Sequence, residues 1–108
     1  MLTVVGDSNF ESVVLTSPVP VLVDFWADWC MPCKAVVPAL EALANDFGGK
    51  ALIVKCDVGA SPTCATKYGV KSLPTFLVFK NGQVVNQKIG APSSNPAGVL
   101  SELLRSAF

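Results

Sequence analysis

The stretch VDFWADWCMPCK, residues 23–34, joins a strongly apolar segment to a pair of cysteines, Cys30 and Cys33. The overlapping segment VPVLVDFWA, residues 19–27, is apolar at both alternations, which is typical of a strand buried on both faces. After the cysteines, residues 32–47 carry a helical stripe of apolar side chains: Val36, Leu40, Leu43 and Phe47. The cysteine pair is therefore predicted at the junction between a buried strand and a long helix.

The segments after this junction alternate between strand and helix patterns. Residues 51–58, ALIVKCDV, form an apolar run typical of a second buried strand. Residues 61–69, SPTCATKYG, begin with a serine suited to cap a helix, continue with a proline suited to its first turn, and end with a glycine. Residues 75–90 contain two strand-like runs around Asn81-Gly82, a dipeptide that strongly favours a tight hairpin.

The ends of the chain complete this pattern. LTVV at residues 2–5 predicts a short first strand, and Ser8 with Glu11 predicts a capping box at the start of a helix. Asn95-Pro96 opens a last helix. The order of elements, βαβαβαββα, predicts an α/β fold with a mixed central sheet and helices on both faces, as a single domain over residues 1–108.

Length and composition limit the classes of protein to which the chain can belong. With 108 residues, 51% of them hydrophobic, it can bury one modest core. Eight basic and eight acidic residues balance, so no net charge attracts nucleic acid or an acidic membrane. The apolar runs are shorter than the ~18 residues that span a bilayer, and no signal-peptide pattern is present. We expect a soluble, cytoplasmic monomer; an organellar protein that has lost a transit peptide is the alternative.

The paired cysteines predict thiol–disulfide chemistry. Cys30 precedes the first helical turn, where free backbone amides and the helix dipole stabilise a thiolate, and Lys34 adds positive charge nearby. Cys30 is therefore predicted to have a depressed pKa and to act as the nucleophile, with Cys33 as the resolving thiol. Two incidental core thiols or a zinc site are alternatives, although histidine is absent and Cys56 and Cys64 form no second close pair. The latter two are expected to be small core residues, and a regulatory role for Cys64 stays open.

Two charged residues interrupt the apolar strands. Asp24 lies within VLVDFW, where a carboxyl group buried on both sides is predicted to have a raised pKa. We expect it to accept a proton from Cys33, directly or through water. The alternative is an aspartate at a strand end that reaches solvent or a backbone amide. Lys55, within LIVKCDV, either tunes Asp24 electrostatically or extends to the surface.

Three blocks of the chain resemble the thioredoxin family. They are VDFWADWCMPCK, KSLPTFLVFKNG and KIGA, which occur in the family's order and spacing. The similarity runs from about Phe10 to Leu104, so it covers nearly the whole chain. The resemblance implies the thioredoxin fold and a protein-disulfide reductase. It also implies that Cys30 is the nucleophile and Cys33 the resolving thiol, and it places the family's buried aspartate at Asp24 and the neighbouring lysine at Lys55.

The resemblance further implies how a substrate is held. The family's proline opposite the dithiol falls at Pro74, so the Leu73–Pro74 peptide bond is expected to be cis. The loop around it would pair with an extended substrate through backbone groups. The expected apolar docking patch consists of Trp29, Met31, Pro32, Leu73, Gly90 and Ala91.

Met31 departs from the family pattern, which usually has Gly-Pro between the cysteines where this chain has Met31-Pro32. The intervening residues tune the redox potential, and a change of 30 mV corresponds to only ~1.4 kcal/mol. Met31 also adds apolar bulk beside Cys30, which would narrow the choice of partners.

The sequence therefore predicts a protein-disulfide reductase with no cofactor and no metal beyond the redox-active Cys30–Cys33 disulfide. Its expected partners are a thioredoxin reductase and disulfide-containing target proteins, without nucleic acid or membrane. One alternative is a more oxidising disulfide oxidase or isomerase. Others are a non-catalytic binding subunit that uses the apolar patch, and a zinc-binding module.

Overall fold

A computed structural model describes residues 2–108, with a five-stranded sheet at its centre. The strands are β1 (Thr3–Val5), β2 (Val21–Trp26), β3 (Leu52–Asp57), β4 (Thr75–Lys80) and β5 (Gln83–Ile89). They lie side by side in the order β1-β3-β2-β4-β5. The predicted mixed sheet is confirmed, because β1, β3 and β2 run parallel while β4 is antiparallel to both β2 and β5.

Helices follow the strands in the predicted alternation. They are a short π-helical segment (Glu11–Leu15), α1 (Met31–Ala35), α2 (Val37–Phe47), α3 (Pro62–Lys67) and α4 (Pro96–Arg105). The longest, α2, has 11 residues. Within residues 2–108, none of these helices has the length and apolar character to cross a bilayer.

The sheet separates two apolar cores, one on each face. Successive side chains of a strand point to opposite faces, so β2 contributes to both cores. Leu22 packs in the core that contains residues of α2 and α4. Val23 and Phe25 pack in the core that contains Phe10, the π-helical segment and Cys64 of α3. The predicted coverage of the sheet by helices on both faces is confirmed.

The helix predicted over residues 32–47 is in fact two helices, which meet at Val36. Pro38 lies in the first turn of α2. It has no N–H to donate to the carbonyl of Lys34, so the helical hydrogen-bond ladder is interrupted there. After α2 the chain makes one 3-10 turn, Gly48–Lys50, before β3.

The capping box predicted near the N-terminus is wrong. The π-helical segment begins at Glu11 with Phe10 as its N-cap residue, and no side chain caps it. Asn9 instead accepts a hydrogen bond from the backbone N–H of Gly6 at 2.7 Å. The turn before the helical segment is therefore closed by Asn9 and not by Ser8.

The start of α3 is capped by a residue that is distant in sequence. Ser61 occupies the N-cap position, but its side chain accepts no capping hydrogen bond. The carboxylate of Asp7 accepts hydrogen bonds from the backbone N–H groups of Thr63 at 3.2 Å and Cys64 at 2.9 Å. β1 and β3 are neighbours in the sheet, which brings the turn after β1 to the loop after β3. The predicted serine cap is thus replaced by a tertiary one.

Two predicted turn signals are confirmed. Asn81 and Gly82 join β4 to β5 with φ angles of 53° and 77°, the left-handed conformations that a two-residue hairpin requires. Asn95 is the N-cap residue of α4, and its side chain accepts a hydrogen bond from the N–H of Gly98 at 3.3 Å.

Cys56 and Cys64 are free thiols in the core on the α3 face of the sheet. Burial raises the pKa of the Cys56 thiol. Burial, together with a hydrogen bond to Asp7, raises the pKa of Cys64 to about 12. Both thiols therefore stay protonated at neutral pH, in the form that is a poor nucleophile. The expectation that they are core residues is confirmed.

We expect replacement of Asp7 by Ala to lower the free energy of unfolding, because the N–H groups of Thr63 and Cys64 lose their acceptor. Asp7→Asn keeps one oxygen acceptor and should lose less. Guanidinium unfolding of the two variants measures the difference, with Glu41→Ala, an exposed position on α2, as the matched control. Equal stability of Asp7→Ala and the parent protein would contradict the capping role.

The buried thiols also give a test by alkylation. In the reduced, folded protein at neutral pH, Cys30, whose sulfur accepts a backbone hydrogen bond, should react rapidly with a thiol reagent, and the buried Cys33 should react more slowly. Cys56 and Cys64 should react only after unfolding. A Cys64→Ser variant should lose one slow thiol and keep the fast reaction of Cys30. Four fast thiols in the folded protein would show that the described core does not protect them.

Candidate active site

Cys30 and Cys33 form a disulfide at the junction of β2 and α1, where the sequence predicts the pair. Cys30 is the N-cap residue of α1, and Pro32 lies in the first turn. The two Cα atoms are 5.3 Å apart. Together with Ala27, the cysteines form a small buried group, here called the dithiol cluster. The N–H of Cys30 donates to the Ala27 carbonyl at 3.0 Å, which closes the turn after β2.

The surroundings of the two sulfur atoms differ. The Sγ of Cys30 accepts a hydrogen bond from the backbone N–H of Cys33 at 3.2 Å. After reduction, the same donor can stabilise a thiolate at Cys30. Cys30 is also 5% exposed, whereas Cys33 is 1% exposed, so a target disulfide reaches Cys30 first. These observations favour Cys30 as the nucleophile and Cys33 as the resolving thiol.

The positive charge of Lys34 is paired. Its Nζ lies 3.8 Å from Oδ1 of Asp28, and the two side chains are 51% and 90% exposed. Water and salt screen an exposed pair of this kind, and the carboxylate offsets the field of the ammonium group. Lys34 therefore contributes less to a thiolate at Cys30 than the sequence suggests. The backbone N–H of Cys33 is the more direct source of stabilisation.

The loop before β4 lies beside the dithiol cluster. The Leu73–Pro74 peptide bond is cis, as the family resemblance implies. The side chain of Leu73 packs against the dithiol cluster. The carbonyl of Pro74 accepts a hydrogen bond from the N–H of Gly90 at 2.8 Å. The structure therefore places Leu73 against the two cysteines, and the adjacent Pro74 is hydrogen-bonded to Gly90.

Exposed apolar side chains adjoin Cys30. Trp29 and Met31, its neighbours in sequence, are 77% and 72% exposed. Trp29 and Leu73 line one groove of about 310 Å³, together with Val58, Pro62, Ala65, Thr66, Val70 and Lys71. Ala91 does not line this groove; it packs against the core that contains residues of α2 and α4. Of the residues predicted to form the docking patch, Trp29 and Leu73 line this groove, whereas Met31, Pro32, Gly90 and Ala91 do not.

Asp24 lies in the middle of β2 and is fully buried. Neither oxygen of its carboxyl group has a hydrogen-bond partner among residues 2–108. Burial raises the pKa of Asp24 to about 7, and the positive charge of Lys55 partly opposes this rise. The predicted raised pKa is confirmed. The alternative of a carboxylate that reaches solvent or a backbone amide is wrong.

Lys55 lies opposite Asp24 in the parallel register of β2 and β3. Its side chain is half-buried, and its Nζ lies 4.1 Å from the centroid of the Trp26 ring. The positive charge is thus held beside the sheet, where it acts on Asp24. Of the two interpretations of this lysine, the structure favours electrostatic tuning.

Sequence reasoning missed two residues of the site, Trp26 and Val58. Both pack against the dithiol cluster. A signal for Trp26 was available, because it stands two positions after Asp24 on the same strand and so shares its face of the sheet. No such signal exists for Val58, which lies after the end of β3. Its position beside the cluster depends on a contact between strands, in which its backbone N–H donates to the carbonyl of Trp26 at 2.9 Å.

The four cysteines occupy two separate places. Cys56 and Cys64 pack in the core on the α3 face, whereas Cys30 and Cys33 belong to the dithiol cluster. In the part of the chain that the structure describes, Cys, Asp and Glu side chains form no group of three or more that could hold a metal ion. The arrangement does not supply the four convergent thiolates of an all-cysteine zinc site.

Replacement of Asp24 by Asn should stabilise the oxidised protein above pH 7 and have little effect below about pH 4. The pKa is about 7 in the folded protein, against 3.8 for the unperturbed group. Between these values the folded state binds a proton that the unfolded state lacks, so the stability of the parent protein falls as pH rises. The gain above pH 7 is up to roughly 4 kcal/mol.

Guanidinium unfolding at about pH 4, 6 and 8 measures this pH dependence. Asp28→Asn, at an exposed position, is the matched control and should show no such trend. A stabilisation by Asp24→Asn that is the same at low and high pH would contradict ionisation as its cause.

Comparison with known proteins agrees with this geometry. The model of the thioredoxin family matches residues 1–104. Thioredoxin C-2 of Corynebacterium nephridii is 48% identical over 97 residues, which cover 89% of this chain and 90% of that protein. A thioredoxin of Haemophilus influenzae is 46% identical over 91% of this chain and 92% of its own length. A chloroplastic M-type thioredoxin of Pisum sativum is 46% identical over 92% of this chain and 56% of its own. The chain therefore belongs to the thioredoxin family, and it is a thiol–disulfide oxidoreductase.

Proposed function

We propose that the protein reduces disulfide bonds in other proteins, with Cys30 as the nucleophile and Cys33 as the resolving thiol. The observation that carries this proposal is the Cys30–Cys33 disulfide at the start of α1. Its more exposed sulfur accepts a backbone hydrogen bond and lies beside an apolar groove. This arrangement suits a sulfur atom that alternates between thiolate and disulfide.

The proposed reaction has two exchange steps. The thiolate of Cys30 attacks one sulfur of the target disulfide, which forms a mixed disulfide and releases the other target sulfur as a thiolate. Cys33 then loses its proton and attacks Sγ of Cys30, which releases the second target sulfur and forms the Cys30–Cys33 disulfide. The target gains two electrons and the protein loses two. A thioredoxin reductase is the proposed source of electrons for the next cycle.

We assign Asp24 the role of proton acceptor for Cys33 in the second step. A base works best when its pKa is close to the ambient pH, and burial raises the pKa of Asp24 to about 7. Because its carboxyl oxygens have no hydrogen-bond partner among the described residues, they are free to take a proton, directly or through water. Lys55 is assigned the role of keeping this pKa from rising further.

The target is proposed to dock over the groove and the loop around Pro74. Trp29, Met31, Pro32 and Leu73 would supply apolar contact, and the backbone near Pro74 and Gly90 would pair with an extended segment. Ala91 would act only by shaping the loop, because it packs away from the groove. Contact through the backbone depends little on the target sequence, so a broad range of targets is expected.

Met31 is the proposed determinant of partner choice in this chain. It is 72% exposed and follows the nucleophile directly, so a docked target must contact its side chain. An unbranched thioether adapts to different apolar surfaces. It would favour targets with an apolar residue beside the disulfide.

Several broader features belong to the same proposal. The chain is expected to act as a single-domain monomer over residues 1–108, without a cofactor other than its own disulfide. The cytoplasm is the expected compartment, which agrees with bacterial relatives that match over most of their length. An organelle is the alternative, which the chloroplastic relative of Pisum sativum supports.

Trapping experiments test the assigned roles. Cys33→Ser should accumulate a mixed disulfide through Cys30 with a disulfide-containing protein, and Cys30→Ser should form none and lose activity. Cys64→Ser, which removes a buried thiol, is the matched control and should retain activity. Mass spectrometry identifies the linked cysteine. A mixed disulfide through Cys33 in the parent protein would reverse the assignment.

The reduction potential separates a reductase from an oxidant. We expect a value near the thioredoxin level of about −270 mV for the Cys30–Cys33 couple. Equilibration in dithiol buffers, followed by alkylation and mass spectrometry, measures it, and Met31→Gly in parallel gives the contribution of Met31. A value of about −120 to −180 mV would instead indicate an oxidase or isomerase.

A further inference from the structure

The contact between Lys55 and Trp26 has no role in the reaction as described so far. Nζ of Lys55 lies 4.1 Å from the centroid of the Trp26 ring, within the range of a cation–π interaction. Lys55 faces Asp24 across the strand pair, yet within residues 2–108 it forms no ion pair with that carboxyl group. The ammonium group thus lies at the ring, although a buried carboxyl group is on the adjacent strand.

The register of the sheet explains why one lysine can reach both groups. Asp24 and Trp26 stand two positions apart on β2, so their side chains leave the same face of the sheet. Lys55 on β3 is the partner of Asp24 in the ladder, and Asp57, two positions further along β3, is the partner of Trp26. The flexible side chain of Lys55 can therefore point toward the ring, toward the carboxyl group, or into solvent.

We propose that Trp26 is a positioning residue, whose ring holds the ammonium group of Lys55 at the distance from which it acts on Asp24. Without the ring, the half-buried ammonium group would gain hydration by moving into solvent, because an ammonium group is strongly hydrated. Its influence on Asp24 would then decrease. This inference rests on the proposed function of Asp24 for its relevance to the reaction, but not for its test.

Lys55 is the one charge within the described residues that acts on Asp24 to a noticeable extent. Other charged groups lie on the elements around this strand, and none of them shifts the pKa of Asp24 as Lys55 does. They are Lys34 on α1, Glu41 and Asp46 on α2, Asp57 on β3, Lys80 on β4, Lys88 on β5, and Glu102 and Arg105 on α4. The position of the Lys55 ammonium group therefore determines how much of the rise in pKa caused by burial is offset at Asp24.

Trp26 also connects this charge to the reacting sulfur atoms. The same side chain packs against the dithiol cluster. Its indole Nε1 is buried and has no hydrogen-bond partner among residues 2–108. The ring therefore contacts both the dithiol cluster and the ammonium group of Lys55.

The test is the pKa of Asp24, measured from the carboxyl carbon by NMR in the oxidised protein, where neither Cys30 nor Cys33 titrates. The resonance is assigned by its absence in Asp24→Asn. Trp26→Leu should raise the pKa by roughly one unit. Trp26→Phe, which keeps a weaker cation-binding ring, should raise it less.

A matched background separates positioning from simple repacking. Lys55→Met should itself raise the pKa of Asp24, and Trp26→Leu added to Lys55→Met should produce little further rise. If Trp26→Leu does not fold, Trp26→Phe in the two backgrounds carries the same comparison. An unchanged or lowered pKa in the Trp26 variants, or an equal rise with and without Lys55, would overturn the proposal.

The readout also separates this inference from the proposed function. The carboxyl pKa is measured without a substrate, so it reports on Trp26 and Lys55 alone. A normal rate of release of the mixed disulfide by Asp24→Asn would remove Asp24 from the reaction and would leave the measured coupling to Trp26 intact.

Discussion

The middle strand of the sheet, β2, pairs with a neighbour along both edges and is covered by helices on both faces. It is parallel to β3 on one side and antiparallel to β4 on the other, and Val21–Phe25 are all buried. Such a strand has to be apolar at both alternations, since neither face meets water. The active site depends on this burial, because the rigid end of β2 holds Cys30 and Cys33 where α1 begins.

Asp24 is the exception to that apolar rule, and the exception has a cost in stability. A buried carboxyl group without a hydrogen-bond partner disfavours its charged form, which is why its pKa is about 7. A stable core alone would not require an acid at this position. Its presence suits a group that gains and loses a proton near neutral pH, with a pKa that the charge on Lys55 lowers.

The four cysteines show that environment, and not residue type, sets the chemistry of a thiol. Cys30 lies at a helix start with a backbone donor to its sulfur, and this environment favours a thiolate. Cys56 and Cys64 lie inside an apolar core, where burial raises the pKa of each thiol. Separation of the two pairs on different elements keeps the buried thiols out of exchange with the reactive pair.

Local pattern was sufficient for β2, the hairpin at Asn81-Gly82 and the position of the dithiol, because alternation and turn residues act over a few neighbouring positions. The family resemblance supplied the cis peptide bond at Pro74, which local pattern does not encode. Pro38 was a local signal for the helix break at Val36. The prediction of one continuous helix followed the apolar stripe instead.

The sequence by itself determined the strands, most helices and the reactive cysteine pair. Only the tertiary structure decided that Asp7 caps α3 and that Lys55 lies over Trp26, because these contacts join residues whose separation depends on the order of strands in the sheet.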